Sequence, residues 1–147
     1  MTQDRQPYRL LLIEDNPADT GLLRYALDEQ NEPYVLEELP DGETALRYVR
    51  EHCGRNAPEP CLIILDLHLP RCDGLTVLEA IRSEPELSHV AVAVVTSSAS
   101  PIEKAEVLAL GVRLYRQKPI SYDEMVELAR ELIEICREPL KVSIANE

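Results

Sequence analysis

Four polar features of this sequence each come at the end of a short apolar segment. They are the acidic pair Glu14-Asp15, then Asp66, Thr96 and Lys118. Three carboxylates brought close together would repel and raise one another's pKa unless a cation lay among them. Hard oxygen ligands of this kind suit Mg²⁺, which keeps several waters and leaves coordination places for phosphate oxygens. The pattern therefore predicts a pocket for a divalent cation and a phosphoryl group.

With a metal bound, one of these carboxylates could attack a phosphorus centre and form an aspartyl phosphate. Lys118 would then offset the charge of the phosphoryl group, and the hydroxyl of Thr96 would donate a hydrogen bond to one of its oxygens. Each residue alone also fits an ordinary role: Glu14 and Asp15 could complement a helix dipole, and Asp66 could be a turn residue. Because four such coincidences in register would be needed, the functional interpretation is favoured.

Strand-length apolar runs alternate with segments of helical periodicity, and these elements must position the polar residues. The pattern predicts strands at residues 9–13, 34–39, 61–65, 90–95 and 112–117. A cap or turn marks the start of the helix after each strand, at Asn16-Pro17, Asp41-Gly42, Asp73-Gly74, Ser100-Pro101 and Ser121. Residues 52–60 lack periodicity and are predicted to form a loop. Such alternation predicts a parallel sheet covered by helices on both faces, with all strands ending at one edge.

Composition limits the classes of partner. The chain has 147 residues, which predicts one domain, and it carries 15 basic against 27 acidic residues, a net charge of −12. A surface this negative repels phosphate backbones and anionic lipid, so nucleic-acid and membrane binding are not expected. The longest apolar stretches are too short to span a bilayer. We therefore expect a cytoplasmic protein.

The four cysteines show no spacing typical of a metal site. Cys61 opens an apolar run and Cys136 ends a helical one, so both are interpreted as small core residues. Cys53 and Cys72 fall in predicted loops. In a cytoplasmic protein all four are expected to be reduced thiols.

Three motifs stand at the predicted ends of strands: D-L-H-L-P-R-C-D-G at the third, T-S-S at the fourth and K-P at the fifth. The spacing is 30 residues from Asp66 to Thr96 and 22 from Thr96 to Lys118. With the acidic pair before them, they resemble response-regulator receiver domains (CheY-like) over residues 8–137. The resemblance implies an α/β, flavodoxin-like (βα)5 fold with a doubly wound five-stranded parallel sheet in the order 2-1-3-4-5. Residues 1–7 would be an N-terminal extension and residues 138–147 a C-terminal tail.

The resemblance also implies the metal ligands. Asp66 would accept the phosphoryl group. Glu14, Asp15 and Asp66 would hold Mg²⁺ together with the backbone carbonyl of His68. The imidazole of His68 is then expected to lie in solvent rather than to bind metal.

For the phosphoryl group, the resemblance implies contacts from Thr96 and Lys118. Tyr115, three residues before Lys118, fits the rotating aromatic switch of the family, although a tyrosine at a strand edge commonly just packs. The Lys118–Pro119 bond would be cis, which is a mild arrangement only because proline follows.

A receiver domain of this kind is expected to act as a single-domain response regulator. It would take a phosphoryl group from a sensor histidine kinase and signal through a conformational change, with no enzyme activity beyond its own phosphorylation and dephosphorylation. Only eleven residues follow Cys136, too few for an output domain. The long separation of Asp15 from Asp66, with Arg116 and Gln117 in the fifth strand, resembles the stand-alone regulators paired with bacterial phytochromes.

Two other functions remain open at this point. A haloacid dehalogenase-type phosphatase also forms an aspartyl phosphate, but it needs a second Asp two places after the nucleophile, where this chain has His68. A pseudo-receiver that only scaffolds partners would lack part of the acidic pocket. Val126 and Ile135 also widen the apolar stripe of the last helix, which suggests a homodimer through the last two helices and the fifth strand.

Overall fold

The computed structural model describes residues 6–52 and 59–138, except for the side chain of His52. Strands and helices alternate strictly in this part of the chain. They are β1 (Tyr8–Ile13), α1 (Pro17–Asp28), β2 (Tyr34–Leu39), α2 (Gly42–His52), β3 (Leu62–Leu65), α3 (Gly74–Ser83), β4 (Ala91–Thr96), α4 (Pro101–Ala109), β5 (Leu114–Gln117) and α5 (Tyr122–Arg137). The predicted N-terminal extension, the loop at residues 52–60 and the C-terminal tail fall largely outside the described residues. None of the described helices combines the length and apolar character needed to cross a bilayer.

The strands form one parallel sheet in the order β2-β1-β3-β4-β5, as predicted. Ile13, the last residue of β1, pairs with Leu39 of β2 and with Leu65 of β3. Thr96, the last residue of β4, pairs with Gln117 of β5. Because all five strands end near one another, the polar residues at their ends share the carboxyl edge of the sheet.

The core lies on both faces of the sheet, because successive strand residues point to opposite sides. β3 is buried along its whole length, and β1 is buried from Leu10 to Ile13. One face packs against α1 and α5, with Leu27 and Leu132 fully buried, and the other packs against α3 through Ile81. Each such buried side chain contributes about 1.5–3 kcal/mol. β1 and β3 are therefore a rigid base for the acidic residues that follow them.

Side-chain caps fix where the five described helices begin. Each capping oxygen accepts a hydrogen bond from a backbone N–H of the first turn, an interaction of about 1 kcal/mol. The capping residues are Asn16, Asp41, Asp73, Ser100 and Ser121, which confirms the predicted helix starts. β5 begins at Leu114 rather than at residue 112, because Gly111 adopts a φ of 75° and the chain joins the sheet only after this turn.

Cys61 and Cys136 form a disulfide, with their Cα atoms 5.4 Å apart. The prediction of reduced thiols is therefore wrong for this pair, although Cys136 does lie in the core, 6% exposed. The reason is tertiary: the end of α5 crosses the start of β3 at a distance that suits a bridge, while 75 residues separate the two cysteines in sequence. Cys72 is a free thiol in a loop, as predicted, and Cys53 lies outside the described residues.

Gly74 and Gly21 give opposite predictions for substitution by alanine. A Cβ at Gly74 would lie 2.4 Å from the carbonyl oxygen of Asp66 and 2.6 Å from the Cα of Leu67. Since backbone must move to admit it, we expect Gly74→Ala to lower the free energy of unfolding by about 2 kcal/mol. A Cβ at Gly21, inside α1, would meet nothing within 4 Å. We expect Gly21→Ala to raise the free energy of unfolding by about 0.5–1 kcal/mol, since alanine forms helix better. Urea unfolding measures both, and changes of the same sign would contradict this packing.

Candidate functional site

The predicted acidic residues lie at the carboxyl ends of two neighbouring strands. Glu14 follows β1 and is 9% exposed, and Asp66 follows β3 and is 4% exposed. The hydrogen bonds of the sheet continue one residue past these strands: Glu14 N–H donates to the Leu39 carbonyl, and Asp66 N–H donates to the Ile13 carbonyl, both at 3.1 Å. The backbone that carries both buried carboxylates is therefore fixed.

Asp15 completes a cluster with these two residues. One carboxylate oxygen from each of Glu14, Asp15 and Asp66 lies within 4.8 Å of the others. Three converging hard oxygen ligands, with Asp15 exposed to water, fit a divalent cation that keeps some of its waters. The convergence predicted from the strand ends is thus present in the fold.

His68 lies in the same loop as Asp66. Its backbone N–H donates to Asp66 Oδ1 at 3.2 Å. Its side chain is 57% exposed, close to the solvent position expected, and Nε2 lies 3.4 Å from Oε1 of Glu103. A metal contact from the His68 carbonyl stays a prediction.

Lys118, directly after β5, reaches three carboxylates. Its Nζ lies 3.1 Å from Asp66 Oδ2, 3.1 Å from Glu14 Oε1 and 2.7 Å from Asp19 Oδ2. Its backbone N–H is fixed by a hydrogen bond of 2.8 Å to the carbonyl of Thr96. Burial lowers the pKa of Lys118, but the hydrogen bonds to the carboxylates outweigh burial and leave the pKa raised. The ammonium therefore stays charged beside Asp66.

The pKa of Glu14 is raised above its ordinary value of 4.5. Burial is the main cause, and the carboxylate of Asp66 adds to it, whereas the Asn16 amide and Lys118 act in the opposite direction. With Asp15 and Asp19 included, four carboxylates face one ammonium, so the cluster has a formal charge of −3 when all are ionised. This excess favours binding of a divalent cation.

Sequence reasoning missed Asp19. It lies in the first turn of α1, where an acidic residue is ordinarily explained by the helix dipole. Its side chain instead forms the shortest ion pair of Lys118. No local signal singled it out, because an acidic residue is common in the first turn of a helix and Lys118 lies 99 residues further along the chain.

Thr96 and Tyr115 lie on the last two strands of the sheet. Thr96 ends β4, is fully buried, and its Oγ1 accepts a hydrogen bond of 3.2 Å from Ser98 N–H. Tyr115 is half-buried on β5, and Lys104 Nζ lies 5.5 Å from the centre of its ring. Burial, assisted by the carboxylate of Glu103, raises the pKa of Tyr115. Thr96 thus lies at the carboxyl edge of the sheet, next to the backbone of Lys118. The phosphoryl contact of Thr96 and the switch role of Tyr115 stay predictions.

The Lys118–Pro119 bond is trans, because the described residues contain no cis peptide bond. The cis geometry implied by the resemblance is therefore wrong for this structure. Before proline, trans is favoured by only about 0.5–1 kcal/mol, so tertiary contacts decide the isomer. Lys118 makes its three carboxylate contacts from the trans arrangement.

The fold and this edge cluster define a class of protein. A sequence model described as the response regulator receiver domain matches residues 10–130, and the chain belongs to that family of two-component signalling proteins. The probable methanogenesis regulatory protein FilR2 of Methanothrix harundinacea is 34% identical over 128 residues, which are 87% of this chain and 83% of FilR2. The response regulator Rcp1 of Synechocystis is 30% identical over 129 residues, which are 87% of this chain and 88% of Rcp1.

Solved structures agree with this assignment. The phosphorylated cyanobacterial phytochrome response regulator RcpA has a TM-score of 0.81 and 30% identity, over 93% of this chain and 99% of RcpA. The Mn²⁺-bound form of Rcp1 has a TM-score of 0.79 and 29% identity, over 92% of this chain and 99% of Rcp1. The predicted receiver fold and its resemblance to phytochrome response regulators are confirmed.

Proposed function

We propose that this chain is a phosphoryl-accepting signalling switch: Asp66, with Mg²⁺ bound, takes a phosphoryl group from a phosphohistidine of a sensor histidine kinase. One observation carries the proposal. The buried carboxylate of Asp66 lies 3.1 Å from the Lys118 ammonium and shares a 4.8 Å cluster with Glu14 and Asp15. A carboxylate beside a fixed cation and a cation-binding cluster is suited to attack on phosphorus.

In the transfer, a carboxylate oxygen of Asp66 attacks phosphorus and the P–N bond of the phosphohistidine breaks. The imidazole leaves with the bonding electron pair and takes up a proton. A divalent cation held by Glu14, Asp15 and Asp66 would offset the charge on the phosphoryl oxygens. Lys118, already in contact with Asp66 Oδ2, holds one phosphoryl oxygen, and the Thr96 hydroxyl donates to another. Tyr115, on the neighbouring strand, then changes rotamer, and the altered surface carries the signal.

We further propose that the chain catalyses only its own phosphorylation and dephosphorylation. The slow-phosphatase alternative needs an acid/base two residues after the nucleophile. The side chain there, His68, is 57% exposed and lies 3.4 Å from Glu103. Because the side chain at that position contacts Glu103, we expect no acid/base catalysis from it. The acyl phosphate is therefore stored rather than rapidly hydrolysed. The scaffold alternative is disfavoured because Glu14, Asp15, Asp66 and Lys118 are all in place.

Mg²⁺ is the proposed metal, supported by the oxygen-only cluster and by the Mn²⁺-bound form of the similar Rcp1. Asp15 supplies the exposed ligand, so Asp15→Asn removes one carboxylate with little effect on packing. We expect Mg²⁺ affinity to fall about tenfold or more, on the scale of other perturbed metal sites. Isothermal titration calorimetry measures this.

Asp123→Asn is a matched control for this substitution, because Asp123 is an exposed aspartate of α5 outside the cluster. It makes the same change of charge. An equal loss of affinity in both variants would show a general effect of net charge and would contradict the assignment of Asp15.

The proposed partner is a cytoplasmic histidine kinase of the phytochrome type, supported by the likeness to RcpA and Rcp1.

A homodimer through α4, β5 and α5 is also proposed. Ile135 no longer supports it, since it is buried in the core, but Ile102 and Leu108 of α4 are 73% and 49% exposed. Sedimentation at micromolar concentration, with and without a phosphate mimic, should reveal a dimer, and a strict monomer in both states would exclude it.

Phosphorylation itself is tested with a small donor. Incubation with Mg²⁺ and acetyl phosphate should add the mass of one phosphoryl group to the intact protein, with release of acetate. Omission of Mg²⁺ should abolish the gain. An unchanged mass, under conditions that label a known receiver domain, would favour the scaffold.

A further inference from the structure

Glu103, in the first turn of α4, joins two loops that border the acidic pocket. Its Oε1 accepts a hydrogen bond of 2.5 Å from Ser98 Oγ and lies 3.4 Å from His68 Nε2. Ser98 belongs to the loop between β4 and α4, and His68 belongs to the loop between β3 and α3. A single carboxylate therefore ties these two loops together, and the phosphoryl transfer described above does not use it.

His68 and Ser98, the two residues that contact Glu103, are each hydrogen-bonded in turn to a residue with a proposed role in phosphorylation. The backbone N–H of His68 donates to Asp66 Oδ1 at 3.2 Å. The backbone N–H of Ser98 donates to Thr96 Oγ1, also at 3.2 Å. The contacts thus run from the proposed phosphoacceptor, through His68, Glu103 and Ser98, to the hydroxyl proposed to bind the phosphoryl group.

Helix capping does not explain this carboxylate. In a capping box the Glu at the third position reaches back to a backbone N–H at the helix start. Glu124 of α5 does this, accepting from Ile120 N–H at 3.1 Å. In α4, the N–H of Ser100 instead donates to Ser98 Oγ at 3.1 Å, which leaves the Glu103 carboxylate to Ser98 and His68.

We propose that Glu103 is a positioning residue that locks the unphosphorylated pocket by holding Ser98 and His68 together, so that the Thr96 hydroxyl stays engaged with the Ser98 amide. The inference rests on the proposed function. A phosphoryl group on Asp66 would bring about two negative charges toward the carboxylate, and like charges repel. The lock and the phosphoryl group therefore oppose each other. Because the contacts of Glu103 must release before the phosphoryl group is accommodated, removing them lowers the barrier to phosphorylation.

The test compares Glu103→Ala with Glu106→Ala, an exposed glutamate of the same helix, so that charge and helix propensity change equally. The initial rate of labelling by acetyl phosphate at fixed Mg²⁺ should rise about fivefold in Glu103→Ala, since the barrier is lower, and stay unchanged in Glu106→Ala. Ser98→Ala should give a similar rise, and the double variant Ser98→Ala/Glu103→Ala should show no further gain. A gain is not what simple damage to the structure would produce. An equal or slower rate in Glu103→Ala would overturn the lock.

A second measurement separates the lock from the proposed function. In the metal-free, unphosphorylated protein, amide hydrogen exchange at residues 98 and 100 should be faster in Glu103→Ala than in Glu106→Ala, because both amides depend on the loop that Glu103 holds. Unchanged exchange at these amides would overturn the lock. Failure of the unaltered protein to be labelled would overturn the proposed function, and exchange would still decide the lock.

Discussion

Asp66→Asn should abolish phosphorylation by both acetyl phosphate and a histidine kinase. The amide keeps the size and shape of the side chain but lacks the carboxylate oxygen that attacks phosphorus. It also removes one of the three carboxylates clustered within 4.8 Å, so Mg²⁺ affinity should fall too. Intact mass spectrometry should detect no labelled protein under conditions that label the unaltered chain fully.

The control for this prediction is Asp73→Asn. Asp73 follows Asp66 in the same loop, but its side chain caps α3 by accepting from Thr76 N–H at 3.0 Å. Asparagine caps helices about as well as aspartate, so the fold is kept. We expect normal labelling of Asp73→Asn. Labelling of Asp66→Asn at the normal rate would show that another group receives the phosphoryl group.

Among these substitutions, Lys118→Met should lower the free energy of unfolding most when stability is measured in metal-free buffer. The ammonium contacts Glu14, Asp19 and Asp66, of which Glu14 and Asp66 have side chains only 6% and 4% exposed. Its removal leaves these buried carboxylates without their cationic partner, and the free energy of unfolding should fall by about 3 kcal/mol, near the lower end for a broken buried pair. Added Mg²⁺ should recover much of this loss, because it supplies the missing positive charge.

The effect of Lys118→Met should also depend on pH. The pKa of Glu14 is already raised, and the loss of Lys118 removes one of the groups that lower it. A carboxyl with a raised pKa in the folded state binds more protons folded than unfolded, so stability falls as pH rises above its ordinary value of 4.5. The destabilisation by Lys118→Met should therefore be large at neutral pH and shrink toward acid pH.

Lys104→Met is the matched control, since it makes the same change at an exposed lysine of α4. We expect it to lower the free energy of unfolding by no more than about 1 kcal/mol, the scale of its exposed contact with the Tyr115 ring. Phosphorylation of Lys118→Met, measured with saturating Mg²⁺, should be slower by about a hundredfold, as for loss of one charge-stabilising group. Equal stability of both variants in metal-free buffer would contradict the contacts assigned to Lys118.

Much of the site was predictable because it follows from topology. Parallel strands of alternating βα units end at one edge, so Glu14, Asp15, Asp66 and Lys118 had to converge once the strands were identified. Caps such as Asn16 and Ser121 are local signals, and they marked the helix starts correctly. The direction of the strands determines the convergence of the polar residues, and each cap depends only on its neighbours in sequence. Neither feature depends on long-range side-chain packing.

Other features depend on tertiary contacts that no local pattern encodes. Asp19 and Glu103 both fit common first-turn roles, and only the packing of α1 and α4 shows that they point to Lys118 and to Ser98. The bridge between Cys61 and Cys136 joins residues 75 apart in sequence. The isomer of the Lys118–Pro119 bond depends on a small energy difference that the surroundings decide.

The chemical identity of the phosphorylated group is the most direct test of the central claim. After labelling with acetyl phosphate and Mg²⁺, borohydride reduction converts an aspartyl phosphate to homoserine, and peptide sequencing by mass spectrometry locates it. We predict homoserine at position 66 alone. Homoserine at Asp15, Asp19 or Asp73, or a labelled protein with phosphate on a side chain that borohydride leaves unchanged, would contradict the assignment of Asp66 as the phosphoacceptor.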